Sequence, residues 1–185
     1  EQFDFNLHSK NASFLDRFVF NNLDIKSDAQ QDTINISTQW NNTKSEQTYK
    51  GNLKATTIFE TSEKGEIPKI HTNIAPSEIV IADSVWNIYQ TKIITDSSYI
   101  NIKDWLIKHS DEEIRLSGSI SSRPSDSLSL NVADFKLSNL NPFLENNNIA
   151  LKGAMNSEIL INDLYSDAYI AINNAVDNFV VNNNQ

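Results

Sequence analysis

An eight-residue pattern, apolar-x-apolar-x-Asp-apolar-x-apolar, occurs twice in this chain. The copies are Ile100-Asn101-Ile102-Lys103-Asp104-Trp105-Leu106-Ile107 and Leu130-Asn131-Val132-Ala133-Asp134-Phe135-Lys136-Leu137. In a strand, successive side chains alternate between faces. The second apolar pair arrives one residue late, so in an unbroken strand it would face the wrong way. One extra residue restores the facing, and Asp tolerates the turn or left-handed geometry that such a residue adopts. Each copy is therefore predicted to be two short strand segments joined by a bulge or tight kink.

Looser copies flank this pair. Phe18-x-Phe20-x-Asn22-Leu23-x-Ile25 is complete with Asn for Asp; Ile159-x-Ile161-x-Asp163-Leu164 keeps the first half, and Val176-x-Asn178-Phe179-x-Val181 the second. Between them lies a glycine motif, Ile114-x-Leu116-x-Gly118-x-Ile120 and Ile149-x-Leu151-x-Gly153-x-Met155. Glycine in an apolar register removes a side chain from the core face and lets a sheet crease. The order Asp104, Gly118, Asp134, Gly153, Asp163, Asn178 reads as a strand-by-strand repeat, the mark of a stacked, quasi-one-dimensional fold.

The rest of the chain continues in period two. Phe3-x-Phe5-x-Leu7, Ile34-x-Ile36-x-Thr38-x-Trp40, Tyr49-x-Gly51-x-Leu53-x-Ala55-x-Thr57-x-Phe59 and Ile70-x-Thr72-x-Ile74 read as strands. Ile79-x-Ile81 runs into Asp83 to Ile88, where the alternation shifts again. Strands follow at 93–95, 100–107, 114–120, 128–137, 149–155, 159–164, 169–172 and 176–181. Asn11 to Phe14 reads as a turn or short helical connection capped by Ser13, and Ser27 to Asp32, Asn41 to Ser45 and Ser62 to Glu66 as turns or loops. Leu140-Asn141-Pro142-Phe143-Leu144 reads as a short helical turn with Asn141 as cap and Pro142 at its first position. The tail from Asn182 reads as frayed. The expectation is an all-β, repetitive antiparallel meander with at most one or two short helical turns.

Bulk properties narrow the function. The 185 residues suit a single segment, 1–185, and a hydrophobic fraction of 39% is low for a compact globule, as in a thin or open β structure. A net charge of −9 makes nucleic acid and anionic membrane surfaces poor partners. The absence of Cys excludes disulfides and thiolate metal sites. No apolar run is long enough for a membrane-spanning helix. An alternating stretch beside residue 1 leads to the expectation that this chain is part of a longer protein.

Catalytic signatures do not appear. His8, His71 and His109 have no ligand-spaced partners, and Asp24, Asp28 and Asp32 lack the glycine and closing Glu of a calcium loop. Asp111-Glu112-Glu113 reads as a solvated hairpin turn. No G-x-S-x-G or glycine-rich phosphate loop occurs. Neither an enzyme, nor a cofactor, nor a metal is expected. Trp40, Trp86 and Trp105 with Tyr49, Tyr89 and Tyr99 admit a carbohydrate platform, but Trp86 and Trp105 sit in or beside apolar registers, where core packing is the better reading.

From residue 79 onward the motifs together resemble the C-terminal region of the TamB family of AsmA-like bacterial envelope proteins. The residues that carry the resemblance are Pro76 to Ile88, Ile100 to Ile107, Ile114 to Ser121, Leu128 to Leu137 with Leu140-Asn141-Pro142, Ile149 to Gly153, and Asp163-Leu164-Tyr165. Residues 75–185 are the better-matched part; residues 1–74 share the style with less specific signal. The resemblance implies a U-shaped "β-taco" with an apolar groove along it. It implies a periplasmic Gram-negative protein, anchored in the inner membrane as the full-length molecule. It further implies transport of phospholipid or other acyl chains between the two membranes, or aid to outer-membrane protein assembly with an Omp85-type, TamA-like barrel partner.

The residue pattern supplies a physical counterpart. Alternating strands give one apolar and one polar face, and a single curled sheet leaves the apolar face uncovered unless a second layer, a partner or a ligand occupies it. The candidate lining is Ile34, Ile36, Trp40, Leu53, Ile79, Ile81, Ile100, Ile102, Ile114, Leu116, Ile120, Leu128, Leu130 and Val132. Ordinary core packing is the competing reading for each of them. A competing function is a protein-binding module that adds a strand at an exposed sheet edge.

Overall fold

The computed structural model describes residues 2–14, 18–42, 48–60, 68–144, 149–164 and 167–183. Among them the alternating stretches become thirteen strands of one antiparallel sheet, as expected from their periodicity. These are β1 (Gln2–Phe14), β2 (Phe18–Gln30), β3 (Thr33–Asn42), β4 (Tyr49–Glu60), β5 (Lys69–Ile74), β6 (Ser77–Ile81) and β7 (Ser84–Ile88), followed by β8 (Thr91–Thr95), β9 (Tyr99–His109), β10 (Glu112–Ser121), β11 (Ser127–Lys136), β12 (Ile149–Asn162) and β13 (Tyr169–Asn183). The sheet order is β1-β2-β3-β4-β5-β8-β9-β10-β11-β12-β13, with β6 and β7 beside this path. A 3-10 turn, Leu137–Leu140, and one helical turn, Asn141–Leu144, interrupt it after β11.

Between β4 and β9 two interrupted strands stand in place of two whole ones. β4 pairs with β5 through Ala55 to Glu60 and with β6 through Lys50 to Asn52. β9 pairs with β8 through Ile100 to Ile102 and with β7 through Ile107 and Lys108. The breaks fall at Ala75-Pro76, where proline has no N–H for the ladder, and at Tyr89-Gln90.

The Asp repeat is a bulge in the structure. The β9–β10 register pairs Ile102 with Gly118 but Trp105 with Leu116, so β9 carries one extra residue at Lys103-Asp104. The β11–β12 register shifts between Val132 and Phe135, around Asp134 at φ 51°. In β12–β13 the shift lies beside Asn178 at φ 51°. The intervening strands carry the glycines, Gly118 at φ 119° and Gly153 at φ 124°. A Cβ on Gly118 would collide with the Ser127 carbonyl oxygen, and one on Gly153 would lie 2.7 Å from the Asp177 carbonyl oxygen. Asn22 also has a positive φ, 47°, but the β1–β2 register is the same on its two sides, Ser9 with Leu23 and Asn11 with Asn21, so this copy of the motif inserts no extra residue against β1. Phe20 meets the Trp40 ring edge-on at 5.6 Å, and Ile25 pairs with Thr38 on the same side of β3 as Trp40.

Several local expectations are corrected. Asp163 lies in the turn after β12 and makes no bulge. The shift at Asp83 is a two-residue hairpin, with Ala82 and Asp83 both at positive φ as a type I′ turn requires. Asn11 to Phe14 continues β1, because pairing with β2 extends to Phe14. β2 runs through Ser27 to Gln30, leaving Gln31-Asp32 as the turn. The strands read at 169–172 and 176–181 are the single β13, and pairing with Ile149 and Ala150 extends it through Asn182 and Asn183, so the frayed tail is a paired strand there. Asn141 has helical φ and ψ; its side-chain amide instead donates to the Leu151 carbonyl at 3.1 Å and accepts from the Leu151 N–H at 2.7 Å. The turn expected at Ser62 to Glu66 lies outside the described residues, as does the loop beyond Asn42.

Candidate functional site: an apolar face across the whole sheet

The bulges keep the apolar residues on one side. One row of directly paired residues crosses the whole sheet path: Phe3, Ala29, Ile34, Thr57, Thr72, Ile93, Ile102, Gly118, Leu128, Ile161 and Ile170. The two threonines satisfy each other through a 3.1 Å hydroxyl hydrogen bond. Parallel rows lie beside it. Phe59, Ile70, Thr95, Ile100 and Ile120 form one. Trp105, Leu116, Leu130, Ile159 and Ile172 form another, and Ile88, Ile107, Ile114 and Val132 a third.

All fourteen residues proposed from sequence fall on this face. Ile36 pairs with Ala55 and Leu53 with Thr38, on the Ile34 side of β3 and β4; Trp40 and Ile79 both pair with Gly51; Ile81 ends the same register of β6. Twelve of them are half-buried, Ile120 is buried and Ile36 is exposed. The buried apolar residues among those described are few: Val80, Trp86, Ile88, Ile120 and Leu137. A sheet covered by a second layer would bury many more. The face is most open at its edges, where Phe3 is 64% and Ile172 60% exposed.

Curvature towards this face is visible at one end. Trp86 on β7 and Phe135 on β11 are three strands apart, which in a flat sheet is about 14 Å. Their ring centroids lie 5.9 Å apart, and His109 stacks on Trp86 at 5.3 Å. At 4% exposure Trp86 cannot serve a carbohydrate platform, and Trp105 is half-buried on the apolar face.

The opposite face holds the charges. Lys108 and Glu113 pair at 2.8 Å, and Arg115 reaches both Glu113 and Asp104 at 2.9 Å. Lys108 and then Arg115 hold the Glu113 carboxyl below its ordinary range. His71 bonds Glu60 at 2.8 Å, which lowers Glu60, and His8 bonds Asp24 at 2.8 Å. Asp4 sits directly opposite Asp28, and hydrogen bonding between the two carboxyls raises Asp4.

One acidic residue was misread from sequence. Glu112 is 1% exposed, not solvated. Its Oε2 accepts from the Lys136 N–H at 2.8 Å and from the Asn139 side-chain amide at 2.5 Å, fastening the 3-10 turn to the start of β10. No local pattern announces this, because its partners lie on another strand and beyond it. Among the described residues no cluster of three His, Asp or Glu is arranged around a common metal position, and no helix is long and apolar enough to cross a membrane.

Comparison of the chain with family models, with curated proteins and with solved structures finds no match.

Proposed function

We propose that this chain is a segment of a periplasmic, TamB-like bridge protein that carries phospholipid between the inner and outer membranes along its apolar β face. The observation that supports this reading is the row of paired residues from Phe3 to Ile170, apolar but for the mutually bonded Thr57 and Thr72, which crosses the sheet with no second layer over it among the described residues. Acyl chains gain about 25 cal/mol for each Å² of apolar surface removed from water. That attraction has no direction, so it tolerates many lipids and needs no catalytic group. The proposal includes an Omp85-type barrel as partner of the full-length protein and no role as an enzyme.

Native mass spectrometry of the chain expressed in a bacterial envelope tests the reading. Co-purifying phospholipid is expected, and Ile102→Lys or Leu130→Asp is expected to remove it while strand content by circular dichroism is kept. A clean protein mass that added phospholipid and detergent fail to change would sink it.

A second reading, strand addition to a protein client, rests on β13. This edge strand is fifteen residues long and contains no Pro, Lys or Arg, so of the usual devices that blunt an edge it carries only the bulge beside Asn178 and the single charge of Asp177. Proline substitutions along β13 are expected to abolish client binding and leave lipid binding intact; unchanged client binding would remove this reading.

A further inference from the structure

The polar face carries a second ordered row, and it runs into a cavity. Asp24, Gln39, Asn52, Glu78 and Asn87 are directly paired neighbours on β2, β3, β4, β6 and β7. All five line a cleft of about 890 Å³. This volume lies within the range of small-molecule sites, roughly 300–1,000 Å³. The cleft forms where β5–β6 and β7–β8 are interrupted, so Pro76 and Tyr89 stand at its border. Val80, 7% exposed, gives it an apolar patch. Gln39, Asn52, Glu78 and Asn87 are exposed, and their side chains have no hydrogen-bond or ionic partner in the described structure.

The chemistry of this row selects a ligand class. Each side-chain amide offers both donor and acceptor, as does each hydroxyl of a sugar. The row runs perpendicular to the strands, so its polar groups repeat about every 4.8 Å. That repeat is close to the advance of one unit along an extended β-linked glycan. Tyr89, 48% exposed at the border, presents a ring to the apolar C–H face of a pyranose. Lys50 and Lys54 also line the cleft, but Asp24 and Glu78 offset them, which disfavours a free anion. We propose that this cleft binds a neutral, linear, β-linked glycan lying across β2, β3, β4, β6 and β7 on the face opposite the apolar one. The site is independent of the acyl-binding reading and stands or falls without it.

Two-dimensional amide NMR of the whole chain, titrated separately with chitotetraose, cellotetraose and inorganic phosphate, tests the assignment. Either tetrasaccharide is expected to shift the resonances of Gln39, Asn52, Asn87 and Tyr89 and to leave the Ile102–Leu128 row unmoved. Asn52→Leu and Asn87→Leu, at exposed positions with no internal side-chain partner, are expected to weaken binding roughly three- to tenfold each, the loss of one hydrogen bond. Their melting temperatures should match the parent, which separates lost contact from lost fold. If neither glycan shifts these resonances, or if phosphate alone does so at Lys50 and Lys54, the proposal is overturned. Unchanged affinity in both leucine variants overturns it equally.

Discussion

The β3–β4 pair and the β9–β13 region are built from the same alternating sequence and have different shapes. Thr33 to Asn42 pairs with Ile58 to Tyr49 without one register shift. From β9 onward each odd-numbered strand carries an extra residue, and each even-numbered strand carries a left-handed glycine. Glycine itself does different work in the two regions. Gly51 has an ordinary φ, and its missing side chain makes room for the Trp40 ring lying against it. Gly118 and Gly153 are needed for their backbone, since their φ values belong to a region that other residues rarely enter. The comparison teaches that apolar alternation sets which face is greasy, whereas bulges and creases set how far the sheet bends over it.

The largest expected effect breaks the curled region at its closing contact. Trp86→Ala removes a buried ring from Phe135 and His109 and should lower stability by about 3–5 kcal/mol in urea unfolding. A loss under about 1 kcal/mol would mean that the two rings do not hold the curl. Next come the glycines. Gly118→Ala forces a left-handed alanine against the Ser127 carbonyl and should cost about 3 kcal/mol. Gly51→Ala displaces only a tryptophan ring, at about 1–2 kcal/mol. Thermal melts showing equal losses at the two sites would erase the distinction drawn between the regions.

A smaller effect separates two bulges of the same motif. Asp134 is left-handed and exposed, so Asp134→Gly should leave stability unchanged or raise it by up to about 1 kcal/mol. Asp104 is not left-handed and accepts both contacts from Arg115 Nη1, so Asp104→Gly should destabilise. Denaturant midpoints of the two variants moving together would show that the bulges are alike after all.

The smallest effect is electrostatic. The folded Glu113 carboxyl titrates below its ordinary value of 4.5 because Lys108 and Arg115 favour the charged form. Its stabilisation is therefore complete above that value and fades as pH falls through the lower folded value. Asp4 has the opposite sign: raised above 3.8 by Asp28, it favours folding only when protonated, and the pair weakens β1–β2 at neutral pH. Melting temperature should fall on acidification below about pH 4.5, less steeply in Glu113→Gln, and Asp28→Asn should slightly stabilise the protein at neutral pH. A Glu113→Gln profile parallel to the parent would show the ion pairs to be without weight.

Much of the apolar face was legible because its signal is local. The period-two registers around Ile34, Ile102 and Leu128, and the one-residue delay at Asp104 and Asp134, sit within a few residues of each other in the chain. Gly118 and Gly153 in apolar registers marked the positions of left-handed backbone, but Gly51 in the same kind of register makes room for the Trp40 ring, so glycine alone did not separate a crease from a close approach. The same local logic misled at Asp163 and Asp83, where a delayed register marks the end of a strand or a hairpin and not a bulge. A turn and a bulge both insert polar, left-handed-tolerant residues, and only the pairing partner tells them apart.

The sequence by itself determined that this is an alternating antiparallel β chain with one apolar face, because side-chain direction in a strand follows from residue parity alone. Only the tertiary structure decided that β6 and β7 sit inside the gap between β4 and β9, that Glu112 is enclosed, and that Gln39, Asn52 and Asn87 stand side by side. Those facts depend on which residue faces which across strands distant in sequence, and cross-strand register is fixed by the summed packing of whole strands, not by any short stretch of chain.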